Sequence, residues 1–330
     1  MSRAPASAVP ATLAALAAGA GVAVQTSING HASVAVGSPV FATAINHGSA
    51  FLLALVVALA MGALPRAARS LRARRSEVRW WWFLGGLMGF AAVLSIIAVT
   101  PTVGVVAVAV AVTLGQLIGS VIADSGSLGP GGRRSLSLLR AIGLLVAVAA
   151  VLVGALGRFD VENAFVIPVV VIAGIIIAIQ QAANGWLVVV TGEFSAMSVI
   201  NFGVSVVFIG ITLLAAHLAE PIDFSTMPAW APLGGAIGAV IGVVTAVSVR
   251  TIGVLSVMLC IAAGQAIAAI VLDLAIPVDS LGLTGGSIAG AVLAVLAVGL
   301  AGLGALSSQR RANALGAPAS EPPATIHESR

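Results

Sequence analysis

The sequence predicts an all-α integral membrane fold of ten transmembrane helices built from two inverted five-helix repeats. Three observations carry that expectation. First, the 330 residues are 60% hydrophobic and only 8% charged, against roughly 25% charged in a soluble domain. Second, Asp, Glu, Lys and Arg are missing between Arg3 and Arg66, between Arg79 and Asp124, and between Arg140 and Arg158. Third, the second half repeats polar and glycine positions of the first at a nearly constant offset.

A hydrocarbon layer about 30 Å thick is crossed by about 20 helical residues. The uncharged run Ala4 to Pro65 is therefore two spans, 10–30 and 41–64, divided at Gly37-Ser38-Pro39. The run from Trp80 to Ala123 makes spans 80–99 and 103–123, interrupted at Thr100-Pro101-Thr102, and 137–157 completes a first repeat over 1–157. A second, inverted repeat over 158–306 holds spans 164–186, 194–218, 229–249, 251–272 and 285–306, leaving 307–330 as a disordered cytoplasmic tail. The Ala-rich run after Arg3 also resembles a signal peptide. A matched partner for this first span in mid-chain argues for a retained helix.

Orientation follows from the basic residues, all of which are arginines. With the N-terminus in the cytoplasm, every Arg except Arg158 falls inside, whereas Asp160, Glu162, Glu220, Asp223 and Asp279 fall outside. By the positive-inside rule both termini are cytoplasmic. The basic loop 66–79 reads as a topology determinant, and Trp80-Trp81-Trp82 beyond it as an interfacial anchor. The pI near 11.2 follows from these arginines, so no nucleic-acid partner is expected, and membrane lipids are.

The repeat is specific in register. At an offset of 155, Gln25 and Asn29 match Gln180 and Asn184, and Ile45-Asn46 matches Ile200-Asn201. At 149, Trp81 matches Trp230, Gly85-Gly86 matches Gly234-Gly235, Gly89 matches Gly238, Gly104 matches Gly253, Gly115-Gln116 matches Gly264-Gln265, and Asp124 matches Asp273. At 147, Gly143 matches Gly290 and Gly157 matches Gly304. Five spans per copy is an odd number, so the second copy enters the membrane from the opposite side. Inverted repeats of this kind recur in secondary transporters, with substrate held between the halves.

These motifs, with Pro101-x-x-Gly104 and the run Leu84-Gly85-Gly86-Leu87-Met88-Gly89, resemble the drug/metabolite transporter superfamily. Among its ten-helix members the chain is most similar to the bacterial YdcZ-type inner-membrane proteins. The resemblance spans about 10–306 and implies a secondary transporter, often an exporter, of the bacterial cytoplasmic membrane. Small multidrug members of the superfamily carry a carboxylate in the first helix for proton exchange. No such residue is present here.

The residues expected to line a substrate pathway are mostly amides. Gln25 and Asn29 share one helix face, as do Gln180 and Asn184, and Asn46 and Asn201 form the next symmetric pair. Buried amides must be hydrogen-bonded, so they hold either partner helices or a polar, neutral or zwitterionic substrate. Gln116 and Gln265 are weaker candidates. His47, within the second span, is an ionisable pathway residue with Phe202 as its counterpart, and His47, Asp124 and Asp273 are candidates for ion coupling. For the aspartates, capping or interfacial hydration is the competing reading. His31 and His217 lie at span ends, and Glu193 lies just before the seventh span. The glycine patterns read as close helix packing.

No cofactor or metal site is expected. The lone Cys260 cannot form an internal disulfide, and the spans bring no Cys–His grouping, no Tyr and no phosphate-cradling loop. An enzyme or a nucleotide-driven pump is therefore not expected. The alternative to solute transport is a lipid-handling, flippase-like or accessory membrane protein. The partner in either case is a small molecule or lipid, and a homodimer is possible from sequence.

Overall fold

A computed structural model describes residues 8–130, 138–155, 165–252, 254–276 and 284–314. Arg133, Arg134, Arg158, Asp160, Glu162 and Asp279, and residues 315–330 of the expected tail, lie outside the described residues, as do the side chains of Asp124 and Arg250. The described chain is helical throughout. In order come α1 (Ala8–Ala35), α2 (Pro39–Ala60), α3 (Ala63–Ala73), α4 (Gly85–Ser125), α5 (Leu138–Ala155), α6 (Val166–Thr191), α7 (Phe194–Ala219), α8 (Leu233–Ile252), α9 (Val254–Ala275) and α10 (Gly285–Ala314). Five helical segments are long and apolar enough to cross a membrane, with shorter apolar stretches in α5, α8, α9 and α10.

The division between α1 and α2 falls where Ser38 and Pro39 place it. Ser38 is extended, its hydroxyl accepts from the Phe41 N–H at 3.2 Å, and Pro39 occupies the first helical position, where a missing N–H costs nothing. The division within the 41-residue α4 differs from expectation. Pro101 lies inside the helix, and the break is at Gly104, with φ 80° and ψ 167°. Only glycine adopts that conformation without strain.

Gly104 reverses the chain. Gly85 and Gly89 lie against Asn184 and Gln180 of α6, Val99, Val103 and Ala107 share a cluster with Val166 and Val170, and Gly119 then lies against Ile175 and Ala178. The first half of α4 thus descends α6 and the second climbs back along it. Each half is about 30 Å long at 1.5 Å per residue, one membrane thickness. In the second half of the chain, α8 ends at Ile252 and α9 starts at Val254.

The basic segment expected as a loop is instead largely helical, because Ala63, Leu64, Ala67 and Leu71 recur at helical spacing while Arg66, Arg69 and Arg72 take the other face. Ala63 and Ala67 are buried against Ala58 and Ala196. The second span accordingly ends at Ala60, four residues before the expected limit. α10 likewise runs eight residues past 306, to Ala314, so the tail begins later than the composition suggested.

α3 is tied to the start of α7 by an ion pair between Arg66 and Glu193. The Arg66 hydrogen bond holds the Glu193 carboxyl below its ordinary range. A carboxyl depressed in the folded state contributes stability above its unfolded value, about pH 4, and loses it as pH falls through the depressed one. Protection of the α3 amides, measured relative to the intrinsic exchange rate at each pH, is therefore expected to fall below about pH 4 in wild type. Arg66→Gln should exchange faster at neutral pH and lose this pH dependence. Identical α3 exchange in the two proteins would remove the tie's role.

The packing is pairwise. α1 lies on α8 and α9, α6 lies on both halves of α4, and α2 pairs with α7 as α5 pairs with α10. The closest approaches are backbone on backbone. A Cβ on Gly115 would fall on the Val171 carbonyl oxygen of α6, and a Cβ on Gly264 would fall on the Leu16 carbonyl oxygen of α1.

Candidate functional site

The amides form two trios, each set between two helices and lying against glycines of a third; Asn29, Asn46 and Asn184 are buried, and Gln25, Gln180 and Asn201 are half-buried. In the first, Gln25 and Asn29 of α1 stand one turn apart beside Asn46 of α2. The Asn46 Nδ2 donates to Asn29 Oδ1 at 3.0 Å in a fully buried bond. Opposite them, α8 presents Gly234, Gly235 and Gly238. A Cβ at Gly238 would come within 2.6 Å of the Gln25 amide nitrogen, one at Gly234 would meet Asn29 Oδ1, and one at Gly235 would meet the Asn46 carbonyl oxygen.

The second trio repeats this with α6, α7 and α4. Gln180 Nε2 donates to Asn201 Oδ1 at 3.4 Å, and Asn184 lies a turn beyond Gln180. A Cβ at Gly85 would stand 2.7 Å from Asn184 Oδ1, one at Gly89 would stand 2.5 Å from the Gln180 nitrogen, and one at Gly86 would meet the Asn201 carbonyl oxygen. Ser205 of α7 donates to the Gly86 carbonyl at 2.6 Å, fastening α7 to α4 beside the trio.

The two trios differ in satisfaction. Asn29 and Asn46 are bonded to each other, whereas Asn184 Oδ1 is buried without a partner. A buried amide oxygen left unpaired costs about 1–3 kcal/mol. His47 is 3% exposed, and neither ring nitrogen has a partner. Its ring lies 6.0 Å from that of Phe202, its own counterpart at an offset of 155, where α2 and α7 meet. The histidine and the two Asn residues preceding these rings thus lie along one seam.

Asp273 occupies a different place. It is 2% exposed, so it is not an interfacial charge, and it accepts from the backbone N–H of Val105 at 3.1 Å and of Val106 at 2.9 Å. These are the first free donors after the Gly104 break. A carboxylate there caps the new helix and meets the positive end of its dipole. The structure therefore gives Asp273 a capping role across helices. Gln265 is buried on α9 and Gln116 half-buried on α4, where the Gly115 and Gly264 crossings lie, outside both trios.

His31 Nδ1 donates locally to the Ser27 carbonyl oxygen at 2.9 Å. His217 Nδ1 accepts from the Ile222 N–H at 2.9 Å and its ring lies 5.1 Å from Phe224. Phe224 in turn meets Phe41 edge-on at 5.0 Å. These aromatic contacts lie at the start of α2 and the end of α7, on the face opposite α3. On the α3 side, Leu53, Val57, Ser195, Ser198 and Val240 line a cavity of about 100 Å³ between α2, α7 and α8.

Two features escaped the sequence reading. Gly19 and Gly174 also match at 155, and each lies at a backbone crossing, with Ile261 and Val112 respectively; extending the glycine comparison to the first span would have found them. Trp82, expected as an anchor, is 3% exposed and stacks on Trp186 at 5.2 Å with the rings 7° from parallel. Trp80 is the exposed member, at 75%, and fits the interfacial role. No periodicity distinguishes these neighbours.

Comparison with known proteins gives one family. The family described as "Putative inner membrane exporter, YdcZ" matches residues 10–153 and again 165–300. A solved structure described only as "Crystal structure of protein" superposes with a TM-score of 0.59 at 18% identity, covering 93% of this chain and 99% of that one. At that identity the likeness concerns the fold. No curated protein matches the chain.

Proposed function

Since the chain belongs to the YdcZ family of inner-membrane exporters, we propose that it is a secondary-active exporter of a small polar or amphiphilic solute. In this reading ten spans form two inverted five-helix repeats, α3 lies on the cytoplasmic face, both termini are cytoplasmic, and the halves rock to expose the amide trios to each side in turn. The observation that carries it is the equivalence of the trios. Each consists of a Gln and two Asn from the first two spans of one half, and each is roofed by glycines from the third span of the other half. A solute held between them touches both halves, which is what alternating access requires.

The duplication is supported by one family matching both halves and by the swapped packing of α1 on α8 and α9 and of α6 on α4. Amides offer donors and acceptors without charge, which favours a neutral or zwitterionic group at this site. Energy comes from a gradient. His47 is the ionisable group nearest the trios, and the capped Asp273 is the less suited candidate.

Cells expressing wild type, Asn46→Ala or Asn201→Ala at equal membrane abundance provide the test, read as survival across a panel of toxic compounds. Both variants are expected to lose resistance to the same compounds, each by about tenfold in export rate, the equivalent of one buried hydrogen-bonded contact. Normal resistance in both would refute the amide site. For coupling, export that varies between pH 5.5 and 8 in wild type and loses that variation in His47→Gln is the expected result. A flat profile in both proteins would remove His47 from coupling.

A further inference from the structure

We infer that the face carrying α3 holds a second ligand site, a tryptophan-walled cavity that binds the anionic group of an amphiphile. The cavity measures about 280 Å³ and is lined by Glu77, Arg79, Trp81, Trp82, Ser127 and Trp186, with Val190 at its edge. It is separate from both amide trios, and its binding does not depend on transport.

Three observations define what it accepts. The Trp82 indole N–H is buried without a hydrogen-bond partner, although the residue lines the cavity. Buried indole N–H groups ordinarily find an acceptor. The neighbouring Trp186, whose ring stacks on that of Trp82, has one, donating to the Leu128 carbonyl at 2.9 Å. Trp82 is therefore the donor that awaits an acceptor.

The charges around it favour an anion. Glu77 is already neutralised, its carboxylate held by Arg74 through Nε at 3.1 Å and Nη2 at 2.6 Å. The Arg79 guanidinium, on the same rim, forms no ion pair or side-chain hydrogen bond among the described residues. A carboxylate or phosphate there would take a charge-assisted bond from Arg79 and a second from Trp82. The stacked indoles, with Trp81 edge-on to Trp82 at 6.3 Å, supply a flat apolar wall for the rest of the molecule.

The site occurs once. At an offset of 149, Trp82 corresponds to Ala231 and Arg79 to Pro228, and at 155 Trp186 corresponds to His31. The other half keeps only Trp230, the counterpart of Trp81, and lacks the stacked indole pair, the donor and the cation. This makes the cavity an addition to one face and not a consequence of the duplication.

Two sources share the required chemistry, a soluble amphiphilic carboxylate and an anionic lipid headgroup, and the test separates them. The purified chain in phosphatidylcholine nanodiscs is dialysed to equilibrium against radiolabelled hydrocinnamate and its uncharged amide, hydrocinnamamide. In parallel, tryptophan emission is compared in nanodiscs with and without phosphatidylglycerol. Saturable hydrocinnamate binding identifies a soluble ligand, and an emission shift confined to phosphatidylglycerol identifies a lipid. Whichever source responds, Arg79→Gln and Trp82→Phe should each weaken the response about tenfold, and hydrocinnamamide should bind at least about tenfold more weakly than its carboxylate. Trp82→Phe keeps a ring against Trp186, and Arg79 is exposed, so Arg79→Gln tests the site without touching the core. No response to either anion, or an unchanged response in Arg79→Gln, would overturn the site.

Discussion

Gly115→Val is expected to abolish accumulation of folded protein in the membrane, and Gly264→Val to do the same. At Gly115 even a Cβ would fall on the Val171 carbonyl oxygen and within 2.8 Å of the Gly174 Cα. Both are backbone atoms of a facing helix, so no side chain can rotate to make room. Overpacking a core costs about 1–3 kcal/mol and more when backbone must move, against a total stability of about 5–15 kcal/mol. At Gly264 the obstruction is the Leu16 carbonyl oxygen, with the Ala20 nitrogen 3.2 Å away. Close approach of helices through small residues is the main source of association in lipid, where burial of apolar area contributes little.

Gly210→Ala is the control. Nothing lies within 4 Å of its Cβ position, and alanine is favoured over glycine in a helix by about 1 kcal/mol, so this variant should accumulate at least as well as wild type. Size-exclusion profiles and melting temperatures in detergent check all three. Wild-type behaviour of Gly115→Val would mean that α4 and α6 do not cross as described.

Asp273→Ala is expected to be the second large loss, through the Gly104 hairpin. Removing the carboxylate leaves the Val105 and Val106 N–H groups without this acceptor in a buried position, at about 1–3 kcal/mol for each donor. Asp273→Asn retains one acceptor oxygen of the same shape and should recover roughly half of the loss. The melting temperature should therefore order wild type above Asp273→Asn above Asp273→Ala. Equal melting temperatures for the three would contradict the cap, and retained stability with lost transport would favour Asp273 over His47 for ion coupling.

Much of this was legible in the sequence, for identifiable reasons. Gln25, Asn29, Asn46, Gln180, Asn184 and Asn201 stood out because buried amides are costly in lipid and recur at one offset. Their opposite numbers, the glycines at 85, 89, 234 and 238, were visible as a motif but not as partners, since small-residue spacing does not say which helix will approach. The reversal at Gly104 was placed three residues early because proline is the usual signal for a break. There, however, Pro101 stays inside the helix, and the positive φ falls on the glycine three residues later. α3 was hidden by its arginines, which read as a loop on charge alone although Ala63, Ala67 and Leu71 keep helical spacing. The burial of Trp82 beside an exposed Trp80 depends on α6 presenting Trp186, a tertiary fact with no local signature.

Export of a solute between the two amide trios is read out in the small molecules that leave the cell. Spent medium from cells expressing wild type and from cells expressing Gln25→Ala/Asn201→Ala, one substitution in each trio, is compared by untargeted mass spectrometry at equal membrane abundance. At least one small polar metabolite is expected to be enriched outside wild-type cells and absent, or reduced by more than about tenfold, with the double variant. An enriched metabolite released equally by both would contradict export between the trios.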